Sequence, residues 1–285
     1  MGGSNGRTPK ARALGRALAE ARNERGLTQR QLAERIGASH GTLARWETGD
    51  RTPDPTNVAQ ILTALEVNGR RYEELLSMAR GAGDRRWLAV SMPELRTQLS
   101  ALVDAEASAV AITDVAPLLI PGLLQSSSYT REIMVAASVP ADEVNTRVAL
   151  RMGRKDVIMR RDEPVRYLAL IGEAALRNVL GVPALMVDQL RLVLELSNRP
   201  NIDVRVVPLR SGWNPALEGP FLLIESEGEQ CIVHLENRRS ALVFHEEEDV
   251  EAYRQAVGYV AAVAMAREET REFISGVIEE LGRMA

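Results

Sequence analysis

The 285-residue chain lacks several features that would assign it to a common class of protein. It has one cysteine, Cys231, which excludes an intramolecular disulfide and a cysteine-rich zinc site. Aromatic residues make up only 4% of the chain, too few for a platform on which single-stranded nucleic acid would stack. The sequence has no run of 18 apolar residues that would span a bilayer and no secretory signal near its N-terminus. We therefore expect a cytoplasmic protein.

The sequence also lacks short motifs that mark certain enzymes. It contains no G-x-x-x-x-G-K-[ST] phosphate loop and no H-E-x-x-H zinc motif. Its three histidines, His40, His234 and His245, are not spaced as metal ligands on one element. We expect no catalytic residues, no metal and no cofactor, and we do not expect an enzyme.

The net charge of −4 is divided unevenly along the chain. Residues 1–86 contain 15 Lys and Arg against 10 Asp and Glu, a charge of +5, and the other 199 residues contain 20 against 29, a charge of −9. A basic surface attracts phosphate, whereas an acidic one repels it. The division predicts an N-terminal module that binds nucleic acid, joined to an acidic module that does not.

Two short helices joined by a turn are predicted between Leu27 and Pro53. Thr28 is placed to N-cap the first helix, and Gln31, three residues later, completes a capping box. Gly37 ends this helix, and Ser39 caps the next one almost at once. Isolated helices below about 12 residues are marginal in water, so neighbouring elements must pack against this pair.

The second of these helices is predicted to have an apolar side and a polar side. Leu43 and Trp46 share the side that packs against the domain, and Gly49 ends the helix. The opposite side carries small, polar or basic residues, namely His40, Gly41, Thr42 and Arg45. A polar helix face held on an apolar base fits a major groove about 12 Å wide. The stretch therefore predicts a helix-turn-helix that binds double-stranded DNA.

The order T-Q-x-x-L-A, I-G, S-x-x-x-L, W-E-x-G and P in this stretch resembles the Cro/C1-type, or XRE, class of helix-turn-helix domains. The resemblance covers roughly residues 12–80. It implies that Gln29 holds a DNA phosphate and that Arg22 and Glu47 form a structural salt bridge. It implies base-reading positions at His40, Gly41, Thr42 and Arg45. We add Ser39 and Arg51 to the residues expected to contact phosphate.

Gly41 departs from the class, because its position often carries a side chain that reads a base. We therefore expect the base contacts to come mainly from His40, Thr42 and Arg45. The alternative is a packed helical domain with no role in nucleic-acid binding. The coincidence of caps, turn and apolar positions over more than twenty residues disfavours that alternative.

Three further helices complete a predicted all-α domain of five. One begins near Pro9 and extends to Arg25, one opens at Asp54 and Pro55, and one spans Arg70 to Arg80. Small, polar residues then mark a domain boundary. The predicted organisation is a flexible arm at 1–11, the helix-turn-helix domain at 12–80, a linker at 81–85 and a second domain at 86–285.

The second domain alternates helical and strand patterns, which indicates an α/β fold. Helices are predicted at 93–107, 129–135, 142–161, 173–180, 184–197 and 247–281. Strands are predicted at 109–115 and 165–171, and four shorter ones lie near 203–208, 221–225, 231–235 and 242–244. Because short loops separate these four strands, we expect a mixed, mostly antiparallel sheet.

Four runs in this domain resemble the C-terminal domain of actinobacterial WhiJ-type regulators over about residues 86–270. They are PGLLQ at Pro121–Gln125 with Tyr129, A-x-R-x-x-R at Ala149, Arg151 and Arg154, EAALR at Glu173–Arg177, and GPF at Gly219–Phe221. The resemblance implies an antitoxin-like transcription regulator that works with a small protein encoded by an adjacent gene. Two positions depart from it, since Lys155 stands where Gln is expected and Asn214 where many relatives have His.

Candidate contacts for a partner or ligand in this domain are Trp213, Asn214, His234 and Glu236. Trp213 is either an exposed contact residue or the buried lid of a small core. His234 and Glu236 lie two apart on a predicted strand and so share a side. They are either a general acid/base pair or, as we favour, a histidine satisfied at a sheet surface. The acidic run at 245–249 reads as a solvated helix start.

Together these patterns predict a sequence-specific DNA-binding transcriptional regulator that acts as a homodimer and associates with the nucleoid when bound to DNA. Its C-terminal domain is expected to be modulated by a small partner protein. The alternative is a repressor that senses a small molecule in a pocket of that domain. An enzyme fused to a DNA-binding domain is a weaker third possibility.

Overall fold

The computed structural model describes residues 8–80, 82, 86–89, 92–160, 162–227, 231–238 and 240–284. The chain divides into two compact units, residues 1–105 with 234–247, and residues 106–233 with 248–285. Most of the linker predicted at 81–85, and residues 1–7 of the predicted arm, lie outside the described residues. Within the described part, no helix has both the length and the apolar character needed to cross a membrane.

Five helices open the chain, as predicted. They are α1 (Pro9–Glu24), α2 (Gln29–Arg35), α3 (His40–Glu47), α4 (Pro55–Ala64) and α5 (Gly69–Ala79). The capping residues act as the sequence indicates. Thr28 and Gln31 form a complete capping box on α2, Ser39 caps α3 and Asp54 caps α4.

An aliphatic core holds these five helices together. One residue of the core is a glycine, Gly15, which allows α1 to approach the C-terminal end of α3 closely. A Cβ atom added to Gly15 would lie 2.4 Å from the carbonyl oxygen of Trp46 and 2.6 Å from that of Glu47. The largest fully buried aliphatic side chains of the core are Leu14, Leu18, Leu32, Leu43, Ile61, Leu62 and Leu65.

The remaining chain has seven strands and eight α-helices among the described residues. The strands are β1 (Arg86–Ala89), β2 (Ala109–Ala116), β3 (Arg166–Gly172), β4 (Ile202–Val207), β5 (Phe221–Ser226), β6 (Ile232–Asn237) and β7 (Ser240–Phe244). The helices are α6 (Met92–Ala107), α7 (Ser127–Ala136), α8 (Ala141–Gly153), α9 (Asp156–Met159), α10 (Glu173–Arg177), α11 (Pro183–Leu196), α12 (Glu247–Val263) and α13 (Arg267–Gly282).

The strands form one mixed sheet in the order β1-β7-β6-β5-β2-β3-β4. β2 pairs with β3 and β3 with β4 in parallel, whereas β2 pairs with β5 and β1 with β7 in antiparallel. This confirms the fold class, helical followed by α/β with a mixed sheet. The last four strands, however, do not all lie side by side, since β4 pairs with β3 and is separated from β5. The helix α11 connects β3 to β4, and such a helical crossover produces parallel pairing.

Two long helices predicted from the sequence are each interrupted. The segment predicted as a helix over 142–161 ends as α8 at Gly153 and resumes as α9. The helix predicted over 247–281 breaks at Ala264–Ala266, where the Met265 N–H donates to the carbonyl of Val206 (2.8 Å). That tertiary hydrogen bond stops α12 without a glycine or a proline. Strand β1 was not predicted.

Candidate nucleic-acid interface

The polar face of α3 is accessible, because the other face anchors the helix. Leu43 is fully buried and Trp46 is buried, so each turn of α3 directs an apolar side chain into the domain core. His40, Gly41 and Arg45 are exposed, and Thr42 is half-buried. The helix therefore presents the four residues predicted to read bases on the side away from the core.

The N-terminus of α3 is fixed by a local hydrogen-bond cluster. The Ser39 Oγ accepts a bond from the Thr42 N–H (3.1 Å), and the two hydroxyl oxygens lie 2.8 Å apart. A serine hydroxyl offers one donor and two acceptor positions. Ser39 therefore caps the helix, and when Thr42 is the donor between the two hydroxyl groups, the Ser39 O–H remains for an acceptor such as a phosphate oxygen.

Arg45 lies back along α3 towards its first turn. Its Nε donates to the carbonyl oxygen of Gly41 (3.1 Å), four residues earlier. A carbonyl oxygen has two lone pairs, so this bond is compatible with the helical hydrogen bond to the same oxygen. The guanidinium of Arg45 is thus held beside Gly41 of α3.

A buried ion pair joins α1 to α3. Arg22 donates from Nε to Glu47 Oε1 (2.7 Å) and from Nη2 to Glu47 Oε2 (2.8 Å), with both side chains almost fully buried. The Arg22 Nη1 also donates to Asn23 Oδ1 and to the carbonyl of Leu27. The hydrogen bond to Glu47 raises the pKa of Arg22 above its ordinary value, so the arginine is charged at any physiological pH. The salt bridge implied by the resemblance is present.

Gln29, at the start of α2, is connected to this pair. Its Nε2 donates to Glu47 Oε2 (2.8 Å). An amide nitrogen carries two hydrogens, so one remains for a phosphate oxygen while the other holds the side chain in place. Arg51 is exposed beyond α3, and its backbone N–H donates to the carbonyl of Arg45 (3.0 Å). The contacts of Gln29, Ser39 and Arg51 with DNA stay predictions.

The end of the turn between α2 and α3, together with the first two residues of α3, reads G-A-S-H-G over residues 37–41, which matches the letters of a hydrolase nucleophile elbow. That motif places its serine between a strand and a helix. Here the run joins two helices, and Ser39 serves as an N-cap. The match therefore has no catalytic meaning.

Two of the candidate contact residues, Trp213 and Asn214, lie in the loop between β4 and β5 and differ in exposure. Trp213 is 72% exposed, so it is not the lid of a core. Asn214 is only 3% exposed, and its side chain is used within the loop. Its Nδ2 donates to Ser211 Oγ and to the carbonyl of Gly212, and its Oδ1 accepts from the Ala216 N–H. Asn214 therefore shapes the loop that displays Trp213.

His234 and Glu236 both lie on β6 but differ in exposure. His234 is 8% exposed, whereas Glu236 is exposed. A buried histidine beside an exposed carboxylate fits the structural interpretation better than a pair that shares a substrate site. Their role in binding a partner or a ligand stays a prediction.

The runs that resemble the WhiJ-type domain hold loops and helices in place. Gln125 donates to the carbonyl of Ile120 (2.7 Å) and accepts from Thr130 (3.0 Å) and from Arg151 (3.3 Å). The Tyr129 hydroxyl accepts from the Ile120 N–H (3.3 Å). Because these groups bond one another inside the domain, the PGLLQ and A-x-R-x-x-R runs have a structural function.

Glu173 and Arg177 of the EAALR run have a similar role at the edge of the sheet. Glu173 accepts from the Leu209 N–H (3.0 Å) and from Arg177 (2.7 Å), and Arg177 also donates to Glu280 of α13 (2.8 Å). The backbone hydrogen bond from Leu209 is the main cause that lowers the pKa of Glu173. The run thus fixes the start of the loop that carries Trp213.

A cluster of buried ionisable side chains was missed by the sequence analysis. Tyr167 donates to Asp114 Oδ2 (3.2 Å), and Arg154 forms two bonds to Glu106, at 2.8 and 2.6 Å. Asp114 as a whole residue is only partly buried, but its carboxyl is surrounded by protein, and this burial raises its pKa to about 7. Burial likewise raises the pKa of Tyr167 well above its ordinary value. The available signal was an aspartate inside the apolar strand AVAITDVA.

Comparison with known families gives two matches. A family model described as Helix-turn-helix matches residues 18–70, and one described as Domain of unknown function (DUF5753) matches residues 99–276, more than half of the chain. A comparison with curated proteins finds no match. The helix-turn-helix match indicates a DNA-binding transcription regulator. The chain therefore belongs to the DUF5753 family and carries an XRE-type helix-turn-helix at its N-terminus.

Proposed function

We propose that this protein is a sequence-specific transcriptional regulator that places α3 in the major groove of operator DNA. The observation that carries the proposal is the exposed polar face of α3, anchored by Leu43 and Trp46. His40, Thr42 and Arg45 supply hydrogen-bonding groups for base edges, which present a distinct pattern for each base pair in the major groove. We assign no enzymatic activity to the chain.

Phosphate contacts on either side of α3 would set its register on the duplex. Gln29 is positioned by Glu47, Ser39 lies at the N-terminus of α3, and Arg51 follows its C-terminus. Contacts to phosphate orient a protein without selecting sequence. The three residues therefore account for affinity on any duplex, while α3 accounts for discrimination.

We further propose that the protein binds as a homodimer in the cytoplasm, at the nucleoid. A single eight-residue helix reaches few base pairs, so one copy has limited discrimination. Two copies on half-sites about 10 bp apart would contact one side of the duplex and favour a palindromic operator. The operator would then reflect the two-fold symmetry of the dimer.

The C-terminal domain is proposed to receive a small partner protein in an antitoxin-like arrangement. The loop between β4 and β5 supports this, because Leu209, Trp213 and Leu217 are all exposed on it. The loop is held by Asn214 and by Glu173, so the indole is displayed on a fixed backbone. Tryptophan is enriched among residues that dominate binding energy in protein interfaces.

The alternative function is a repressor that senses a small molecule in the C-terminal domain. The buried cluster of Asp114, Tyr167, Arg154 and Glu106 favours it, because ionisable groups with shifted pKa values concentrate at binding sites. Such groups also occur in purely structural networks, and the ion pair between Arg154 and Glu106 has that character.

Selection of duplexes from a random library tests the DNA-binding proposal directly. The full-length protein is incubated with a double-stranded library in the presence of competitor DNA, and bound duplexes are amplified and sequenced. We expect enrichment of one motif, repeated as an inverted pair at a spacing of about 10 bp. A library that remains random after repeated cycles would contradict the proposal.

Two measurements separate the partner from the small molecule. Titration with the product of an adjacent small gene should give a complex that Trp213→Ala weakens. Leu150→Ala, a substitution at another exposed apolar residue, should not weaken it. A metabolite that raises the melting temperature of the protein alone, and loses this effect in Asp114→Asn, would instead support the sensor.

A further inference from the structure

The position of the Arg45 side chain suggests which base α3 selects. Its Nε is engaged by the Gly41 carbonyl (3.1 Å), and among the described residues its two terminal nitrogens have no hydrogen-bond partner. The residue is exposed. Arg45 therefore presents its pair of Nη groups to solvent on a side chain that the helix itself holds.

Gly41 leaves open space where a side chain would begin. A Cβ atom added at Gly41 would have no atom within 4 Å. Residues four apart are neighbours on a helix surface, and Gly41 has no side chain, so nothing at position 41 competes with Arg45 at the first turn of α3. At this part of α3, Gly41 therefore leaves the space open and Arg45 supplies the hydrogen-bond donors.

We infer that Gly41 and Arg45 act as one unit that selects a guanine in each half-site of the operator. This inference rests on the proposed function and adds the identity of a base to it. Guanine presents two acceptors, N7 and O6, in the major groove, and paired arginine donors bind both at once. Adenine presents an acceptor and a donor there, so it would leave one Nη group facing an amino group.

The hydrogen bond to Gly41 strengthens this selection. An unattached arginine side chain loses rotamer freedom when it binds, and this loss weakens binding. Arg45 is already restricted by the bond from its Nε. The planar guanidinium then needs little further ordering to meet a planar base edge.

The absence of a side chain at position 41 is part of this guanine selection. Because residues four apart are neighbours on a helix surface, a long side chain at position 41 would lie beside the Arg45 guanidinium. Gly41→Gln would add an amide, which pairs with adenine, and would displace the arginine. Gly276→Gln makes the same chemical change at an exposed glycine of α13 that also has open space around it, so it serves as the matched control.

The test uses the operator obtained from the random library. Each guanine is replaced in turn by 7-deazaguanine, which lacks the N7 acceptor, or by adenine with its paired base. Affinity is measured by fluorescence anisotropy for the wild type, Arg45→Ala, Arg45→Lys, Gly41→Gln and the control Gly276→Gln. We expect one guanine per half-site at which replacement weakens wild-type binding about 10- to 100-fold.

At that guanine the variants should separate. Gly276→Gln should keep the wild-type preference. Arg45→Ala should bind guanine and its replacements within about threefold of one another, and Gly41→Gln should lose the preference for guanine over adenine. Arg45→Lys should retain affinity and a weaker preference, because a lysine can also contact guanine but lacks the rigid planar fork of arginine. Since residues 41 and 45 are both exposed, circular dichroism and thermal melting should show that all variants are folded.

Two outcomes would overturn the inference while leaving the proposed function intact. One is specific binding by the wild type that tolerates 7-deazaguanine at every position. The other is a guanine preference that survives in Arg45→Ala or in Gly41→Gln. Failure to obtain any specific duplex would refute the proposed function itself, and the inference with it.

Discussion

At the scale of single residues, the helix-turn-helix depends on a charge pair that has little access to water. Arg22 and Glu47 are joined by two hydrogen bonds, and Glu47 also holds Gln29. Each charge compensates the other, so neither can be removed alone without leaving its partner buried and unpaired. The pair links stability of the domain to the position of a residue expected to contact phosphate.

Arg22→Met should therefore lower the free energy of unfolding by about 3–5 kcal/mol, because Glu47 would remain buried without a counter-charge. Arg45→Ala, at an exposed arginine, should change it by less than about 0.5 kcal/mol. Urea unfolding followed by circular dichroism measures both. The double variant Arg22→Met with Glu47→Leu should recover much of the lost stability. If its loss instead equals the sum of the losses from Arg22→Met alone and Glu47→Leu alone, the explanation is contradicted.

Asp114 should make stability depend on pH. Its pKa is raised to about 7 in the folded chain by burial, opposed by the hydrogen bond from Tyr167 and the charge of Arg154, whereas Glu106 raises it further. Between its ordinary value of 3.8 and about 7, the folded state holds a proton that the unfolded state has released. The stabilisation is therefore complete at low pH and is lost as pH rises through this window.

Asp114→Asn should remove this dependence, because the amide cannot ionise. The free energy of unfolding of the wild type should fall relative to the variant by about 2–4 kcal/mol between pH 4 and 7, and the difference should be constant above that. Denaturant unfolding at a series of pH values measures it. Parallel curves for the two proteins across the window would show that Asp114 does not titrate there.

At the scale of elements, two glycines in helices have opposite surroundings. Gly15 of α1 lies against the carbonyl groups of Trp46 and Glu47, whereas Gly41 of α3 faces open space. A methyl group therefore clashes at one position and fits at the other. The comparison isolates packing, because the chemical change is the same.

Gly15→Ala should destabilise the protein by about 1–3 kcal/mol or more, since the carbonyl groups of α3 belong to the backbone and cannot rotate away. Gly41→Ala should stabilise it by about 0.5–1 kcal/mol, because alanine is the better helix former. Thermal and urea unfolding of both variants give the two signs. Equal effects at the two positions would contradict the close approach of α1 to α3.

The sequence predicts an element correctly where the interaction that begins or ends the element is local. Thr28, Ser39 and Asp54 cap the helices expected of them, because a cap needs only its own next three residues. Strand pairing and helix breaks depend on distant partners. The end of α12 is set by a bond between Met265 and Val206, which no pattern within 247–281 contains.

The candidate site divides in the same way. The exposed face of α3 follows from helical periodicity and two apolar anchors, so it was predictable. Asn214 differs, because its buried bonds to Ser211, Gly212 and Ala216 arise from a loop conformation that residue types alone do not specify. Asp114 was missed because its partners come from distant parts of the chain, Tyr167 from β3, Glu106 from α6 and Arg154 from the turn between α8 and α9.

At the scale of the whole molecule, the division of charge should govern how DNA binding responds to salt. Residues 1–86 carry +5 and the remainder −9. Phosphate contacts release counterions, so the logarithm of the affinity should fall linearly with the logarithm of salt concentration, by a slope of about −0.9 per contact. Anisotropy titrations between roughly 50 and 200 mM salt measure this slope. A flat response would show that phosphate contacts contribute little to the affinity.

The most direct test of the proposed role of α3 compares two single variants on two duplexes. The affinities of wild type, Arg45→Ala and Gln29→Ala are measured on the selected operator and on a scrambled duplex of the same composition. Arg45→Ala should weaken operator binding by about 1–3 kcal/mol and leave the scrambled duplex unchanged, whereas Gln29→Ala should weaken both alike. Equal losses on both duplexes for Arg45→Ala would contradict base reading by α3.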